Sequence, residues 1–358
     1  MLYAFCSLYF FIIVKKHHNY RRFLERYLKQ ICPILIYIGG KMESRKLISF
    51  GSSSYVVSLP KNWIHTNKLV KGDSIYIEEK PNELLLTTDS SEKEKEIKEK
   101  QIEASNKPLR RIESEIAAAY LTTYDVIEIR NINEGDMPKI KEILQYFAGL
   151  EILEQTSTKI VARDLINVNE VSIKTLIRRI DIILRSILDD AVACLNDMKK
   201  VKSAQFDERD NELNRLTYLV TRIAIAALRD PKLAKKFNTN PVEIMTEQDL
   251  ATRLERIGDH LKRLARHIEK VKEEKQFGEI CEILRIVREK YMVMMKSYYS
   301  RDVQAAFEIE TTAKAVFERC DALFSNGINK NIFHAITHLK NMFTSIRYAA
   351  RTIIINNS

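Results

Sequence analysis

Glycine and proline are scarce, with 9 and 7 residues in a chain of 358. Such a chain has few turn and breaker signals, which argues against a strand-rich sandwich and for long helices. There is no glycine-rich loop to cradle a phosphate, no nucleophile elbow, and no Cys/His pair at a useful spacing. A catalytic arrangement does not emerge, and no enzymatic activity is expected. The five cysteines, Cys6, Cys32, Cys194, Cys281 and Cys320, are not paired at metal-finger or redox spacing. Reduced, buried thiols in a cytoplasmic protein are expected. Long apolar runs are missing too. Met1 to Val14 is about 14 residues, short of the ~20 that span a bilayer. Its charges, Lys15 and Lys16, follow the run instead of preceding it as in a secretory signal. No stable membrane insertion is expected.

The net charge of +10 is unevenly spread. Residues 1–41 hold Lys15, Lys16, Arg21, Arg22, Arg26, Lys29 and Lys41 against Glu25 alone, or +6, leaving +4 for the rest. Bulk basicity is therefore a weak argument for nucleic-acid binding, and any such reading must rest on local residues. Residues 1–41 form an uncertain extension. The favoured reading starts the native chain at Met42, ahead of a well-patterned segment. A packed helical extension and a membrane anchor are the alternatives.

Residues 42–89 alternate in strand fashion. Strands are expected over Arg45–Phe50, Tyr55–Leu59, Ser74–Glu79 and Glu83–Thr88, with one or two helical turns after Pro60. A unit this small is marginal alone, so a homodimer is expected. The Glu/Lys-rich stretch 90–107 reads as a charged linker or an exposed helix. Residues 108–168 follow the order αβαββ, a small α+β layer. From 169 to 358 six helices are expected: Ile173–Met198, Phe206–Arg229, Glu247–Lys275, Ile280–Tyr299, Arg301–Phe324 and Asn331–Ile355.

Two of these helices carry matching apolar stripes with steps of four and three. One runs Leu250, Leu254, Ile257, Leu261, Leu264, Ile268, Val271. The other runs Ile332, Ile336, Leu339, Phe343, Ile346, Ala350, Ile353. Leu250 falls in register with Leu339, and Ile257 with Ile346. Two copies of a three-helix unit explain this pattern.

Two motifs carry candidate function. The first is Leu59-Pro60-Lys61-Asn62-Trp63, preceded by Arg45-Lys46 and a serine-rich turn containing Ser53, Ser54 and Tyr55. Cations and hydroxyls beside a hairpin turn grip phosphates without reading bases; the plain alternative for Pro60 and Trp63 is closure of a small core. With Leu69-x-x-Gly72-Asp73, this stretch resembles the AbrB/MazE/SpoVT family. The resemblance covers about residues 44–88. It implies a swapped-hairpin dimer whose shared face binds DNA, through Arg45, Lys46, Ser53, Ser54, Tyr55, Lys61 and Asn62. The module's charge is balanced, with six Lys/Arg and six Asp/Glu over residues 42–90, so binding requires the cations to be gathered on one face.

The second motif is Leu254-Glu255-Arg256-Ile257-Gly258-Asp259-His260. Glu255 and Asp259, at i and i+4, share a helix face. With an acidic residue from a facing helix they suit a hard or borderline divalent cation. The plain alternative is a salt-bridge ladder with Arg253, Arg256, Arg263 and His260. This stretch closely resembles the signature of PhoU, the regulator of phosphate transport. Asp210 to Arg222 and Arg229 to Ala234 look like that family's archaeal branch, and the similarity covers about residues 171–355. It implies two three-helix bundles, contact with a phosphate transporter or its sensory components, and a divalent or iron-type metal ion at the acidic motif. Asp210 and Glu212, then Asp189 and Asp190, are candidate supplementary ligands. In the second copy Thr344 and Tyr348 replace the two acids, so one metal site at most is expected. His260 and His267 share a helix face, but two histidines do not make a site.

The expected protein is therefore multidomain and mainly α: a small swapped-hairpin β domain, a short α+β segment, then two PhoU-like three-helix bundles. Its expected role couples phosphate status to DNA. The competing reading is an adaptor that docks on a phosphate transport system without binding DNA. A metal-dependent phosphate-ester hydrolase is a distant third.

Overall fold

The computed structural model describes residues 43–51, 54–80, 83–88, 97–197, 203–324 and 328–357. The expectations for residues 1–41, for Ser53, and for the first half of the charged stretch lie outside the described residues. The chain divides into two units, with the boundary between Glu94 and Lys95.

In the first unit, strands β1 (Ile48–Phe50) and β2 (Ser54–Val56) pair antiparallel across a turn at Gly51, whose φ is +70°. Helix α1 (Lys61–Thr66) starts directly after Pro60, whose fixed φ suits a helix start. Strands β3 (Ile75–Lys80) and β4 (Glu83–Thr88) form a second antiparallel hairpin. No described residue of this unit is buried. Leu47, Ile48, Phe50, Tyr55, Val70, Ile77 and Leu84 are all more than half exposed.

The second unit opens with a four-stranded sheet, order β5-β6-β8-β7, from β5 (Glu99–Glu103), β6 (Val126–Arg130), β7 (Leu150–Gln155) and β8 (Ile160–Asp164). Strand β5 corrects the reading of residues 90–107 as a linker or exposed helix. It pairs parallel to β6, buries Ile102, and leaves Glu99, Gln101 and Glu103 exposed. Main-chain hydrogen bonds hold it, and these leave no trace in residue type. Helices α2 (Leu109–Leu121) and α3 (Met137–Gln145) cover one sheet face. Alternation on β6 sends Ile127 and Ile129 into that layer and Glu128 away from it. There they meet Ile112, Ile116, Tyr120, Ile140 and Leu144 in a core of their own.

Two three-helix repeats follow. The first is α4 (Ile173–Asp197), α5 (Ser203–Arg229) and α7 (Pro241–Ile268), with the short α6 (Pro231–Lys236) between the last two. The second is α8 (Phe277–Ser300), α9 (Val303–Ala322) and α10 (Lys330–Asn357). Both anticipated stripes, one in α7 and the turn Glu269–Val271 after it and the other in α10, are buried at every position, and the two repeats share one continuous apolar core. Helix α7 begins at Pro241, not Glu247. Asn240 caps it by accepting from the Glu243 N–H at 3.0 Å, and Pro241 supplies a preset first turn.

The sheet layer is tied to the first repeat by a buried ion pair. The Arg222 guanidinium on α5 reaches Asp164 at the end of β8, with side-chain exposures of 2% and 4%. The same guanidinium donates to the Tyr120 carbonyl and lies 4.6 Å from the Tyr120 ring centroid.

Candidate functional site

The acidic face on α7 is built by close approach of two helices. Gly258 makes this possible. A Cβ there would lie 2.5 Å from Leu213 Cδ1 on α5 and 3.7 Å from Leu184 Cδ1 on α4. One turn away, the same approach brings Asp210 of α5 close enough to Glu255 for its charge to act there. Replacing Gly258 by valine should push α5 from α7 and cost roughly 2–3 kcal/mol. Chemical denaturation would show this as a lower midpoint with an unchanged slope.

Asp210 is 4% exposed. Its Oδ2 accepts from Lys262 Nζ at 2.8 Å, and Asn214 Nδ2 approaches at 3.3 Å. Its Oδ1 has no hydrogen-bond partner among the described residues. Lys262 also reaches Asp207 at 3.4 Å, and Arg266 pairs with Asp207 at 3.1 Å. Asp259 pairs with Arg263 at 2.6 Å, which realises one rung of the salt-bridge ladder. Glu255 makes no hydrogen bond or ion pair among the described residues. Burial, then the charges of Asp259 and Asp210, push its carboxyl up to about 7.

Of the anticipated ligands, the structure gathers Asp210, Glu255 and Asp259. It does not bring in Glu212. Two residues along a helix turn the side chain about 200°, so Glu212 faces away from Asp210 and pairs with Arg179 of α4 at 3.1 Å. Asp189 pairs with Arg288 at 2.6 Å and Asp190 with Arg209 at 2.7 Å. The gathered oxygen donors suit a hard or borderline divalent cation in chemistry. In geometry the fit is incomplete: Lys262 occupies one Asp210 oxygen, and no three His, Cys, Asp or Glu groups among the described residues stand in a ready ligand arrangement.

The matching position of the second repeat is cationic and aromatic. Tyr348, in register with Asp259, has Arg253 at 4.9 Å and Arg351 at 5.4 Å from its ring centroid. Thr344 donates to the Lys340 carbonyl at 2.7 Å.

On the β-hairpin unit, Arg45 pairs with Glu43, while Lys46, Ser54, Tyr55, Lys61 and Asn62 are exposed. Cys281 and Cys320 are buried and free. Among the described residues no helix is long and apolar enough to cross a membrane.

Sequence reasoning missed a polar seam between α7 and α10, which run antiparallel. Thr246 meets Asn356 at 2.5 Å, Asp249 accepts from Thr352 at 3.2 Å, and four histidines lie further along. The signal was present in the spacing of His260 to His267 and of His334 to His338, each on one face of its helix.

The helical array is a bundle of two three-helix repeats with an acidic face on its first repeat, and the β-hairpins belong to a separate unit of the chain. Residues 177–268, covering α4 to α7 and the acidic motif, match the family model of the PhoU domain. A PhoU-like domain implies a regulatory role in phosphate homeostasis. Among solved structures, the crystal structure of PhoU from Pseudomonas aeruginosa is 17% identical, with a TM-score of 0.45, over 52% of this chain and 96% of that one. No curated protein matches the chain.

Proposed function

We propose that this chain is a DNA-binding regulator of phosphate uptake. It acts in the cytoplasm as a homodimer, with the hairpin unit on DNA and the helical domain answering to a phosphate transporter or its sensory components. The observation that carries this reading is a hairpin unit with no core of its own. Of its apolar residues, Phe50, Tyr55, Val70 and Ile77 are 63–71% exposed. Exposed apolar surface on this scale calls for a partner, and a second copy offers the same hairpins to interleave. The resemblance to swapped-hairpin DNA-binding dimers gives the cations Arg45, Lys46 and Lys61 their role as phosphate contacts. A divalent cation held by Glu255, Asp259 and Asp210 would supply positive charge where the helical domain crowds three carboxylates.

The test is the full chain carrying Arg45→Ala and Lys61→Ala. We expect a dimer by analytical ultracentrifugation, with promoter affinity reduced at least tenfold and a shallower salt dependence. An intact dimer with unchanged DNA affinity would refute the role of this face. The adaptor reading draws on the balanced charge of the unit and on the Arg45–Glu43 pair. It predicts weak, equal binding to every duplex.

A further inference from the structure

Four of the seven histidines in the chain meet in one place. His260 and His267 come from α7, and His334 and His338 from α10. Their rings form a continuous row. His260 and His338 are 5.5 Å apart by centroid, His338 and His267 are 5.8 Å apart, and His267 stacks on His334 at 4.8 Å. All four are half-buried, open enough for an ion to reach.

The closest pair has a telling separation. His260 Nδ1 and His338 Nδ1 face each other at 3.3 Å. Two nitrogens each about 2.0–2.1 Å from a tetrahedral zinc ion stand about 3.3–3.4 Å apart. Without an ion, one ring must donate a hydrogen to the other across that gap. His267 Nδ1 stands 3.1 Å from Asn331 Oδ1. An amide oxygen can only accept, so Nδ1 is the donor in this contact, and in a neutral ring that leaves the lone pair on Nε2. Burial favours the neutral form of His338 and His260, the form that binds metal. Burial, then His260 and His267, hold His338 down to about 4, and burial lowers His260. The nearest carboxylate, Asp259, is engaged by Arg263.

We propose that this histidine row is a binding site for a borderline divalent transition-metal ion, zinc in particular, bridging the two three-helix repeats. His260 and His338 supply the first two ligands through Nδ1. His267 supplies a third through Nε2 after a side-chain rotation, and water completes the shell. Imidazole donors select zinc-class ions over magnesium or calcium, which separates this site from the all-oxygen face around Glu255. A bound ion cross-links α7 to α10 and holds the repeats in one mutual position.

The experiment titrates zinc alone into the metal-free full chain by calorimetry, with thermal unfolding in parallel. Wild type is expected to bind one zinc ion per chain at this seam and to melt higher with zinc. His260→Gln and His338→Gln should each weaken that binding at least tenfold. His65→Gln, on helix α1 of the hairpin unit, should leave it within about twofold, by the independence expected of separate sites. Equal affinity in the His260 and His338 variants, loss in the His65 variant, or no stoichiometric binding would overturn the proposal. Should a histidine variant fail to fold, diethyl pyrocarbonate labelling of wild type decides by peptide mass spectrometry. Zinc protecting His260 and His338 supports the site; unchanged labelling of both refutes it.

Discussion

Replacing Arg222 by methionine should cost the second unit roughly 3–5 kcal/mol. The guanidinium is the counter-charge of Asp164, and both side chains are almost wholly buried. Removing one partner leaves a carboxylate in low dielectric without compensation, which is far costlier than removing the pair. The variant also loses the donor to the Tyr120 carbonyl. For a domain of this size the melting temperature should drop by roughly 10 °C or more. Pairing Arg222→Met with Asp164→Leu should recover more than half of the loss. Calorimetry of the single and double variants checks this. Equal losses in both would show that the ion pair is not what joins the sheet layer to the first repeat.

The second large effect depends on pH. The Glu255 carboxyl titrates at about 7 in the folded protein against 4.5 for an ordinary glutamate. A raised folded pKa means that the native state holds the proton more tightly than the unfolded chain. The corresponding stability is fully present below about pH 4.5 and is lost as pH rises through about 7. At pH 8 the folded protein carries an ionised carboxylate beside Asp259 and Asp210, at a cost of about 1–3 kcal/mol after allowance for partial solvent screening. Glu255→Gln should therefore be more stable than wild type by about that amount at pH 8 and indistinguishable from it at pH 4.5. Urea unfolding at the two pH values measures the difference. Manganese should raise the wild-type midpoint at pH 8 and leave Glu255→Gln unmoved if the carboxylates hold a cation.

The helical half was legible because burial writes itself into sequence. Leu250 to Val271 and Ile332 to Ile353 kept their steps of four and three, and every position is buried. The acidic face was legible within one helix, as Glu255 and Asp259. The two facing acids named from the sequence fall on different sides of α5. Asp210 points at α7 and Glu212 at α4, a distinction that needs the helix phase and the neighbour's position together. Strand β5 was hidden because its stability lies in main-chain bonds to β6 and one buried isoleucine. The early start of α7 was readable, since Asn240-Pro241-x-Glu243 is a helix-start pattern. The histidine row was readable only as two separate pairs, because its two halves sit on helices that meet only through the antiparallel packing of the repeats.

The most direct measurement of the central claim is fluorescence anisotropy of the full chain on promoter DNA from phosphate-transport operons. A scrambled duplex serves as the control, and both are titrated at two salt concentrations. The account predicts tight binding that favours the promoter and weakens steeply with salt. Weak binding of equal strength to both duplexes would contradict it and turn the search toward a protein partner.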